Sequence, residues 1–215
     1  MHADLWAFEK ALTAEGYCAI AGVDEAGRGP LAGPVVSAAV ILPAEFNAAG
    51  VNDSKKLTLR RRERLYALIY AQATAVGIGI VDPVEIDRIN ILQATKLSMA
   101  MAVSHLKPRP DYLIIDGNFN IPATLPQQSI VKGDARSVSI AAASIVAKVS
   151  RDYLMQRYHE DYPHFGFDRH KGYPTKAHKA AIAQHGPCLI HRRSFKGVRE
   201  HIEDPSTTCR TAAHA

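Results

Sequence analysis

The sequence has few cysteines and no long hydrophobic run. Its three cysteines, in a chain of 215 residues, are widely spaced and form no pair typical of a zinc site or a redox motif. No segment approaches the roughly 20 apolar residues that span a bilayer, and the first residues, Met-His-Ala-Asp-Leu-Trp, lack the pattern of a secretion signal. We therefore expect a cytoplasmic protein without a membrane partner.

Internal repeats, low-complexity tracts and an interdomain linker are also missing. The composition, 47% hydrophobic and 22% charged with 14 Gly and 12 Pro, excludes the disordered and fibrous classes. One α/β domain of this length can bury a full core. We predict a single domain over 1–202, with a helical C-terminal part at about 160–202, and a flexible tail at 203–215.

Basic residues outnumber acidic ones, 26 to 21, for a formal net charge of +5. This excess favours a polyanionic partner, although ordinary solubilising charge explains it equally well. The basic residues concentrate at 55–64, 169–179 and 192–199, and such clusters suit phosphate contacts. The histidines of the C-terminal part, in contrast, show no zinc spacing and are interpreted as loop and surface groups.

The spacing of apolar and turn residues predicts five strands and five principal helices. The predicted strands lie at 19–23, 34–42, 76–81, 111–115 and 127–131. The predicted helices lie at 5–14, 58–75, 82–105, 137–158 and 175–184, and an ordered loop is predicted at 165–173. Antiparallel strands followed by strands that alternate with helices imply an α/β fold, a mixed sheet flanked by helices.

The helix at 82–105 has the clearest sequence signals. Asp82 is a capping residue and Pro83 suits the first helical position. One buried face is predicted on this helix from the helical spacing of five apolar residues, Ile86, Ile89, Leu97, Ala100 and Met101.

Three acidic residues lie where predicted strands end. Asp24 follows the first strand, Asp116 follows the strand at 111–115, and Asp134 comes just after the last strand. Ligands collect at strand ends in such sheets, so the predicted fold brings these residues towards one place. Taken singly, each has a simpler interpretation: Asp116-Gly117 is typical of a turn, and Asp134 of a helix start.

The stretch Val-Asp-Glu-Ala-Gly-Arg-Gly-Pro at 23–30 is the most informative in the chain. A surface turn with solvated charges would account for it in isolation. Neighbouring residues of a strand point to opposite faces, so Asp24 and Glu25 can share one site only if the chain leaves strand geometry at Glu25. Gly27 and Gly29 would permit that departure.

The residues at 24–35, Asp-Glu-Ala-Gly-Arg-Gly-Pro-Leu-Ala-Gly-Pro-Val, resemble the signature of the bacterial ribonuclease HII family. Other blocks that resemble the family follow in its order, at 53–57, 115–118, 132–134, 140–152, 170–175 and 191–195. Together they cover nearly the whole chain apart from its ends. The resemblance implies an RNase H-like fold with a helical C-terminal segment.

The resemblance also implies four catalytic and metal-binding carboxylates, Asp24, Glu25, Asp116 and Asp134. Two divalent cations can activate a water and offset the charge of the leaving oxygen in phosphodiester hydrolysis. Oxygen ligands, without cysteine or histidine at matching positions, favour Mg²⁺ or Mn²⁺ over zinc. Our hypothesis is that Asp24 and Asp116 bridge or anchor the ions, while Glu25 and Asp134 complete their coordination.

The implied substrate is an RNA–DNA hybrid, or duplex DNA that contains ribonucleotides. The enzyme would cut 5′ of the ribonucleotide, leave a 5′-phosphate and a 3′-hydroxyl, and serve ribonucleotide removal in replication and repair. A monomer is expected, and association with a sliding clamp is left open.

The resemblance assigns further residues to substrate binding. The element Gly27-Arg28-Gly29 would read the 2′-hydroxyl, which alone distinguishes RNA from DNA at one nucleotide, and Tyr173 would stack beside the junction sugar. Five residues would contact phosphates: Ser54, Lys55, Lys56, Arg192 and Arg193. A run of charged residues is more often only a solvated face of the protein. Lys148 and Arg151 could equally be surface residues whose long side chains extend from a helix into solvent.

Two other functions remain open at this stage. A two-metal DNA nuclease or recombinase of the same fold would use the same carboxylates, and a non-catalytic nucleic-acid-binding module would account for the basic clusters. The sequence also departs from the family at Phe119, where many relatives have a basic residue, and at Lys196-Gly197, where Gly-Pro is frequent.

Overall fold

The computed structural model describes residues 4–48, 50–51, 54 and 57–202. Five strands form one sheet in the order β3-β2-β1-β4-β5. The strands are β1 Ile20–Ala26, β2 Val35–Ile41, β3 Ala75–Val81, β4 Tyr112–Asp116 and β5 Gln127–Ile130. The pairs β1–β2 and β2–β3 are antiparallel, whereas β1–β4 and β4–β5 are parallel. The predicted mixed sheet is confirmed.

Helices cover both faces of the sheet. They are α1 Ala7–Ala14, α2 Leu59–Gln72, α3 Pro83–Ser104, α4 Val138–Asp161, α5 Phe167–His170 and α6 Lys176–His185. Helix α3 packs on β2 and β3, while α4 packs on β1 and β2 from the opposite side. Within the described part of the chain, no helix combines the length and the apolar character that crossing a membrane requires.

Helix α4 lies against the centre of the sheet. All of its first ten residues are buried, including small residues on all sides, as its many alanines predicted. The close approach depends on Gly22 of β1, because a Cβ atom there would overlap the backbone of Ser139. Ser137 caps the helix by accepting from the backbone N–H of Ile140 at 3.2 Å. The start of α4 is thereby fixed beside β1.

The prediction of one buried face along α3 was wrong. Asn90 has a left-handed backbone, with φ of 66°, inside the helix. Its side-chain oxygen accepts from the backbone N–H groups of Leu92 and Gln93 at 3.0 and 3.2 Å, so a second helical stretch begins there. The kink changes the phase of the apolar residues, and Leu97 is 37% exposed.

The C-terminal segment folds back onto the loop between β1 and β2. Its core joins Leu31 and Ala32 of that loop to apolar residues of α4, α5 and α6. The ordered loop predicted at 165–173 contains the short helix α5. The backbone N–H of Leu31 donates to Gly172 at 2.8 Å, and that of Gly33 donates to Ile190 at 2.8 Å. The predicted tail at 203–215 lies outside the described residues.

Candidate active site

Asp24 and Asp116 lie at the ends of two neighbouring parallel strands. Val23 of β1 is in register with Ile115 of β4, so the aspartate that follows each of them lies at the same edge of the sheet. Alternation along the strands places both aspartates on the face that α4 covers. The structure therefore brings together two acidic residues that are far apart in the sequence, as the strand ends predicted.

Asp24 is buried, with 5% of its surface exposed. Its Oδ1 accepts from the backbone N–H of Glu25 at 2.6 Å, and its side chain also bonds to Ser144 of α4. Burial raises the pKa of Asp24 well above its ordinary value, and the neighbouring charges of Glu25 and Asp116 raise it further. The ionised form of Asp24 is thus costly in this site unless positive charge is supplied.

Asp134 enters the same region from the turn before α4. It lies in the short 3-10 turn Gly133–Ala135 and is buried. The backbone N–H of Gly133, its immediate neighbour, donates to Oδ1 of Asp116 at 2.7 Å. The left-handed conformation of Lys132, with φ of 56°, makes this turn possible directly after β5. One hydrogen bond thus joins the strand carrying Asp116 to the turn carrying Asp134.

Glu25 keeps strand geometry, so the departure that Gly27 and Gly29 would permit does not occur in this structure. Strand β1 continues in regular register through Glu25, which pairs with Ser37, to Ala26. The Glu25 carboxylate lies 3.5 Å from the guanidinium of Arg28. In the portion of the chain that the structure describes, no three His, Cys, Asp or Glu side chains are close enough to hold a metal ion between them. Like charges repel, and backbone N–H groups hold Asp24 and Asp116 individually, so the carboxylates converge without closing on one point.

The loop that follows β1 is held from behind by two buried arginines. Arg192 donates to the carbonyl oxygens of Gly27, Arg28 and Gly33 at 2.5 to 3.0 Å. Its side chain is fully buried, which contradicts the predicted phosphate contact of Arg192. A guanidinium with several fixed N–H groups can bind several carbonyls at once, and here it sets the shape of the loop.

Arg151 of α4 is the second buried arginine, and sequence reasoning left its role open. It donates to the carbonyls of Ala32, Pro34 and Lys171 at 2.9 to 3.0 Å. Burial lowers the pKa of Arg151 to about 10, so it remains charged at neutral pH. Its place on the buried side of α4, four residues after Ala147, was the available signal for a structural role.

Arg28 and Gly29 lie at the outer side of this loop, beside Tyr173, while Gly27 is buried on its inner side. Gly27 has φ of 102°, and a Cβ atom there would overlap Arg151. Gly29 has space for a Cβ atom, with Cε1 of Tyr173 3.7 Å away. The Tyr173 ring therefore stands beside Gly29 and is 42% exposed. The structure thus places Arg28, Gly29 and Tyr173 on one accessible surface, whereas Gly27 is buried against Arg151.

Phe119 replaces a basic residue of many relatives but holds two cations in place. The guanidinium of Arg28 lies 5.8 Å from the ring centroid, and the ammonium of Lys96 lies 5.5 Å from it. Both distances are within the range of cation–π attraction. The departure from the family pattern therefore leaves positive charge at this position, carried by Arg28 and Lys96.

The remaining predicted phosphate contacts differ in their surroundings. Ser54 is buried, and its hydroxyl lies 2.8 Å from that of Ser144. This position is behind Asp24 and gives no support to a phosphate contact by the Ser54 side chain. Lys55 and Lys56 lie outside the described residues. Arg193 is exposed, and its backbone N–H donates to Asp87 at 2.7 Å, so its side chain is free to meet solvent or a ligand.

Comparisons with known proteins agree on one family. The family model described as Ribonuclease HII matches residues 21–198. A ribonuclease HII of Geobacter metallireducens is 58% identical over 198 residues, which cover 92% of this chain and 93% of that protein. These matches include all four carboxylates, the loop beside them and Tyr173.

Two solved structures resemble the fold. The ribonuclease H2 of Pyrococcus horikoshii matches with a TM-score of 0.72 and 28% identity, over 85% of this chain and 96% of the other. The structure of a PCNA–RNase HII complex from Archaeoglobus fulgidus matches with a TM-score of 0.71 and 30% identity, over 83% of this chain and 96% of the other. The predicted RNase H-like fold is confirmed.

Proposed function

Since this chain belongs to the ribonuclease HII family and is a ribonuclease H, we propose that it cuts 5′ of ribonucleotides in duplex DNA and within RNA–DNA hybrids. Four carboxylates, Asp24, Glu25, Asp116 and Asp134, would perform this hydrolysis with two divalent cations. Because β1 is regular through Glu25, the bound ions would have to draw Glu25 out of strand geometry towards the other three. Ribonucleotide removal in replication and repair is the proposed role, and action in the cytoplasm as a monomer stays a prediction.

The observation that carries this proposal is the buried aspartate at the sheet edge. Asp24 lies beside Glu25 and Asp116, and burial with these like charges raises its pKa. A site that only stabilised the fold would not place ionisable acids together in a poorly solvated position, because each charge there destabilises the others. Such acids indicate that a cationic ligand belongs to the working site.

The donor atoms fit Mg²⁺ or Mn²⁺. Carboxylate oxygens suit hard cations, and the described residues of this site provide no sulfur or imidazole ligand. The four carboxylates would hold the ions, which when bound supply a nucleophilic water near neutral pH and offset the charge on the leaving 3′ oxygen. Ser144 would keep the Asp24 side chain oriented, and Gly133 would do the same for Asp116.

Recognition of the ribonucleotide is proposed for the loop held by Arg151 and Arg192. A 2′-hydroxyl can be contacted closely only where the backbone carries no bulky side chain. Gly29 meets this condition, because it has no side chain and even a Cβ atom there would come no closer than 3.7 Å to its nearest neighbour, Cε1 of Tyr173. Tyr173 beside it would stack on the sugar, and Arg28, held over Phe119, would face a phosphate.

The direct test compares a duplex that contains one ribonucleotide with its all-DNA twin, in Mg²⁺, Mn²⁺ or chelator. We expect a cut 5′ of the ribonucleotide with 5′-phosphate and 3′-hydroxyl ends, no cut in the twin, and no cut in chelator. Equal cleavage of both duplexes would refute the substrate assignment in favour of a DNA nuclease. Cleavage that persists in chelator would refute the metal scheme.

The two loop glycines provide a matched pair of variants. Gly29→Ala should fold as the parent does but lower kcat/KM about a hundredfold, because a methyl group displaces the ribose from its place. Gly27→Ala should instead lower the free energy of unfolding by about 2 kcal/mol or more, from its positive φ and its overlap with Arg151. Thermal unfolding and kcat/KM measured on both variants check this, and a Gly29→Ala enzyme with parental activity would contradict backbone recognition.

Association with a sliding clamp stays a further prediction. Its support is the solved complex of the archaeal relative, which contains PCNA. Binding of a purified clamp to the full chain, measured with and without residues 203–215, would test whether the predicted tail takes part.

A further inference from the structure

A pair of buried histidines lies under the C-terminal segment, away from the carboxylates. His178 and His191 are 0% and 2% exposed, so their interpretation as loop and surface groups was wrong. Phe165 packs edge-on against His191 and Phe167 against His178, with ring centroids 4.8 and 5.5 Å apart. His170 stacks on His178 at 4.4 Å. Solvent is therefore excluded from both rings, and protein groups determine where their protons are.

The partners of the two rings fix one tautomer for each. Nδ1 of His191 lies 2.9 Å from the backbone nitrogen of Cys188 and accepts its hydrogen. Nδ1 of His178 lies 2.9 Å from the carbonyl oxygen of Tyr173, which can only accept, so this nitrogen donates. A neutral imidazole has one donor and one acceptor. Nε2 of His191 therefore donates to Nε2 of His178 across 3.0 Å.

Both imidazoles are neutral at physiological pH. Burial lowers the pKa of His178 to about 4, and burial followed by the charge of His178 lowers the pKa of His191 to about 4. The neutral state is what the hydrogen-bond chain requires, because protonation of His178 would set two N–H groups against each other between the rings. The hydrogen bonds that run from the Cys188 N–H through His191 and His178 to the Tyr173 carbonyl therefore each have one donor and one acceptor.

The hydrogen-bond chain ends at the backbone of Tyr173, the residue proposed to stack on the sugar. The Tyr173 carbonyl accepts from His178 and from the N–H of Thr175 at 2.8 Å, and the Tyr173 N–H donates to His170 at 2.9 Å. Because the ring itself is 42% exposed, its packing restrains its direction only in part. The direction depends on this buried backbone.

We propose that His178 and His191 are positioning residues for ribonucleotide recognition. The paired imidazoles hold the Tyr173 carbonyl and thereby keep the Tyr173 ring beside Gly29, where the sugar of the junction nucleotide would stack. This inference rests on the proposed function of Tyr173. Neither histidine contacts substrate or a reacting atom, so each acts only through Tyr173.

The test is a double-mutant cycle on kcat/KM for the duplex with one ribonucleotide. His178→Leu removes one of the two donors to the Tyr173 carbonyl, the other being the N–H of Thr175. It should lower kcat/KM about tenfold, the effect of one lost hydrogen bond to a buried group. Tyr173→Ala should lower kcat/KM by at least as much. If the histidine acts through the ring, His178→Leu should have no further effect in the Tyr173→Ala background.

Two further measurements separate positioning from general structure. His178→Asn is the matched control, because the asparagine amide can donate to the same carbonyl, and it should restore most of the activity lost in His178→Leu. Imidazole nitrogen NMR of the parent protein reports the tautomers without any assay. We expect a proton on Nδ1 of His178 and on Nε2 of His191 at pH 7.

The results that would contradict this proposal differ in which part of it they overturn. Losses that multiply in the double variant would overturn the positioning role and leave the proposed role of Tyr173 intact. A Tyr173→Ala enzyme with parental kcat/KM would overturn the stacking and the positioning together, while the carboxylate chemistry would stand. If His178→Leu does not fold, NMR decides: a charged ring, or both protons on the same nitrogen type, would overturn the hydrogen-bond chain.

Discussion

Asp24→Asn is expected to abolish cleavage and, at the same time, to make the ligand-free protein more stable at neutral pH. Loss of at least about a thousandfold in kcat is expected, the scale of removing one preorganised electrostatic group from a site of charge development. Binding of the ribonucleotide duplex should be retained, since the variant removes a negative charge near the phosphates. A non-catalytic binding module would show no comparable change in activity.

The stability gain follows from the sign of the pKa shift. The pKa of Asp24 is higher in the folded protein than its ordinary value of 3.8, because of burial and then of Glu25 and Asp116. The unfolded chain therefore loses its Asp24 proton first as the pH rises. The contribution of Asp24 to stability is greatest below the unfolded pKa and falls as the pH rises towards the folded pKa. Asparagine does not titrate, so the free energy of unfolding of the variant should exceed that of the parent at pH 7 and equal it below about pH 3.8.

Thermal unfolding in chelator between pH 3 and 8, paired with cleavage assays, measures both effects. Adding Mg²⁺ or Mn²⁺ should raise the Tm of the parent more than that of Asp24→Asn, since only the parent keeps all four carboxylates. Asp161→Asn, which removes an exposed charge at the end of α4, is the matched control and should change neither property. An Asp24→Asn protein as active as the parent would count decisively against the metal scheme.

Arg192→Met is expected to cause a large loss of stability, in contrast to Arg193→Met beside it. The variant would leave the carbonyls of Gly27, Arg28 and Gly33 buried without their donor. An unsatisfied buried polar group costs about 1 to 3 kcal/mol, so a total of about 3 kcal/mol or more is expected, a fall in Tm of roughly 6 to 12 °C. The exposed Arg193 should change stability by no more than about 0.5 kcal/mol.

The salt dependence of duplex binding distinguishes the two arginines further. Each phosphate contact that is lost reduces the slope of log K against log salt by about 1. Arg192→Met should leave this slope unchanged under conditions where it is folded, while Arg193→Met should reduce it if Arg193 contacts a phosphate. A stable Arg192→Met protein with a reduced slope would restore the phosphate contact that the structure contradicts.

The positions of Asp24 and Asp116 could be predicted from the sequence because strand ends are local signals. Each aspartate follows a short apolar run, and the order of strands and helices implies a mixed sheet with these acids at its strand ends. That β1 and β4 are parallel neighbours is seen only in the structure. The regular path of β1 through Glu25 could not be predicted, because Gly27 and Gly29 allow either geometry. The division of the chain into one domain over 1–202 stays a prediction.

The burial of Arg192 could not be predicted from the local pattern, and the only local signal for that of Arg151 was its helical spacing from Ala147. Their partners are backbone carbonyls, and all of these except that of Lys171 lie more than 100 residues away along the chain. The sequence does not show which carbonyl a side chain will contact. The pairing of His178 with His191 could not be predicted either, since neither a zinc spacing nor an apolar repeat indicates it. The prediction of one buried face along α3 was wrong for another reason. Asn90 has a left-handed backbone inside the helix, which is rare for a residue other than glycine.

The complete burial of the start of α4 has a consequence for how the charge repulsion in this enzyme is sustained. A segment enclosed on every side opens locally only at high cost, so we expect its amide hydrogens to exchange mainly through unfolding of the entire molecule. Asp134 precedes this segment, and Asp24 is anchored to it through Ser144. The acidic groups therefore do not separate by local unfolding, and the cooperative stability of the whole fold opposes the electrostatic repulsion between them.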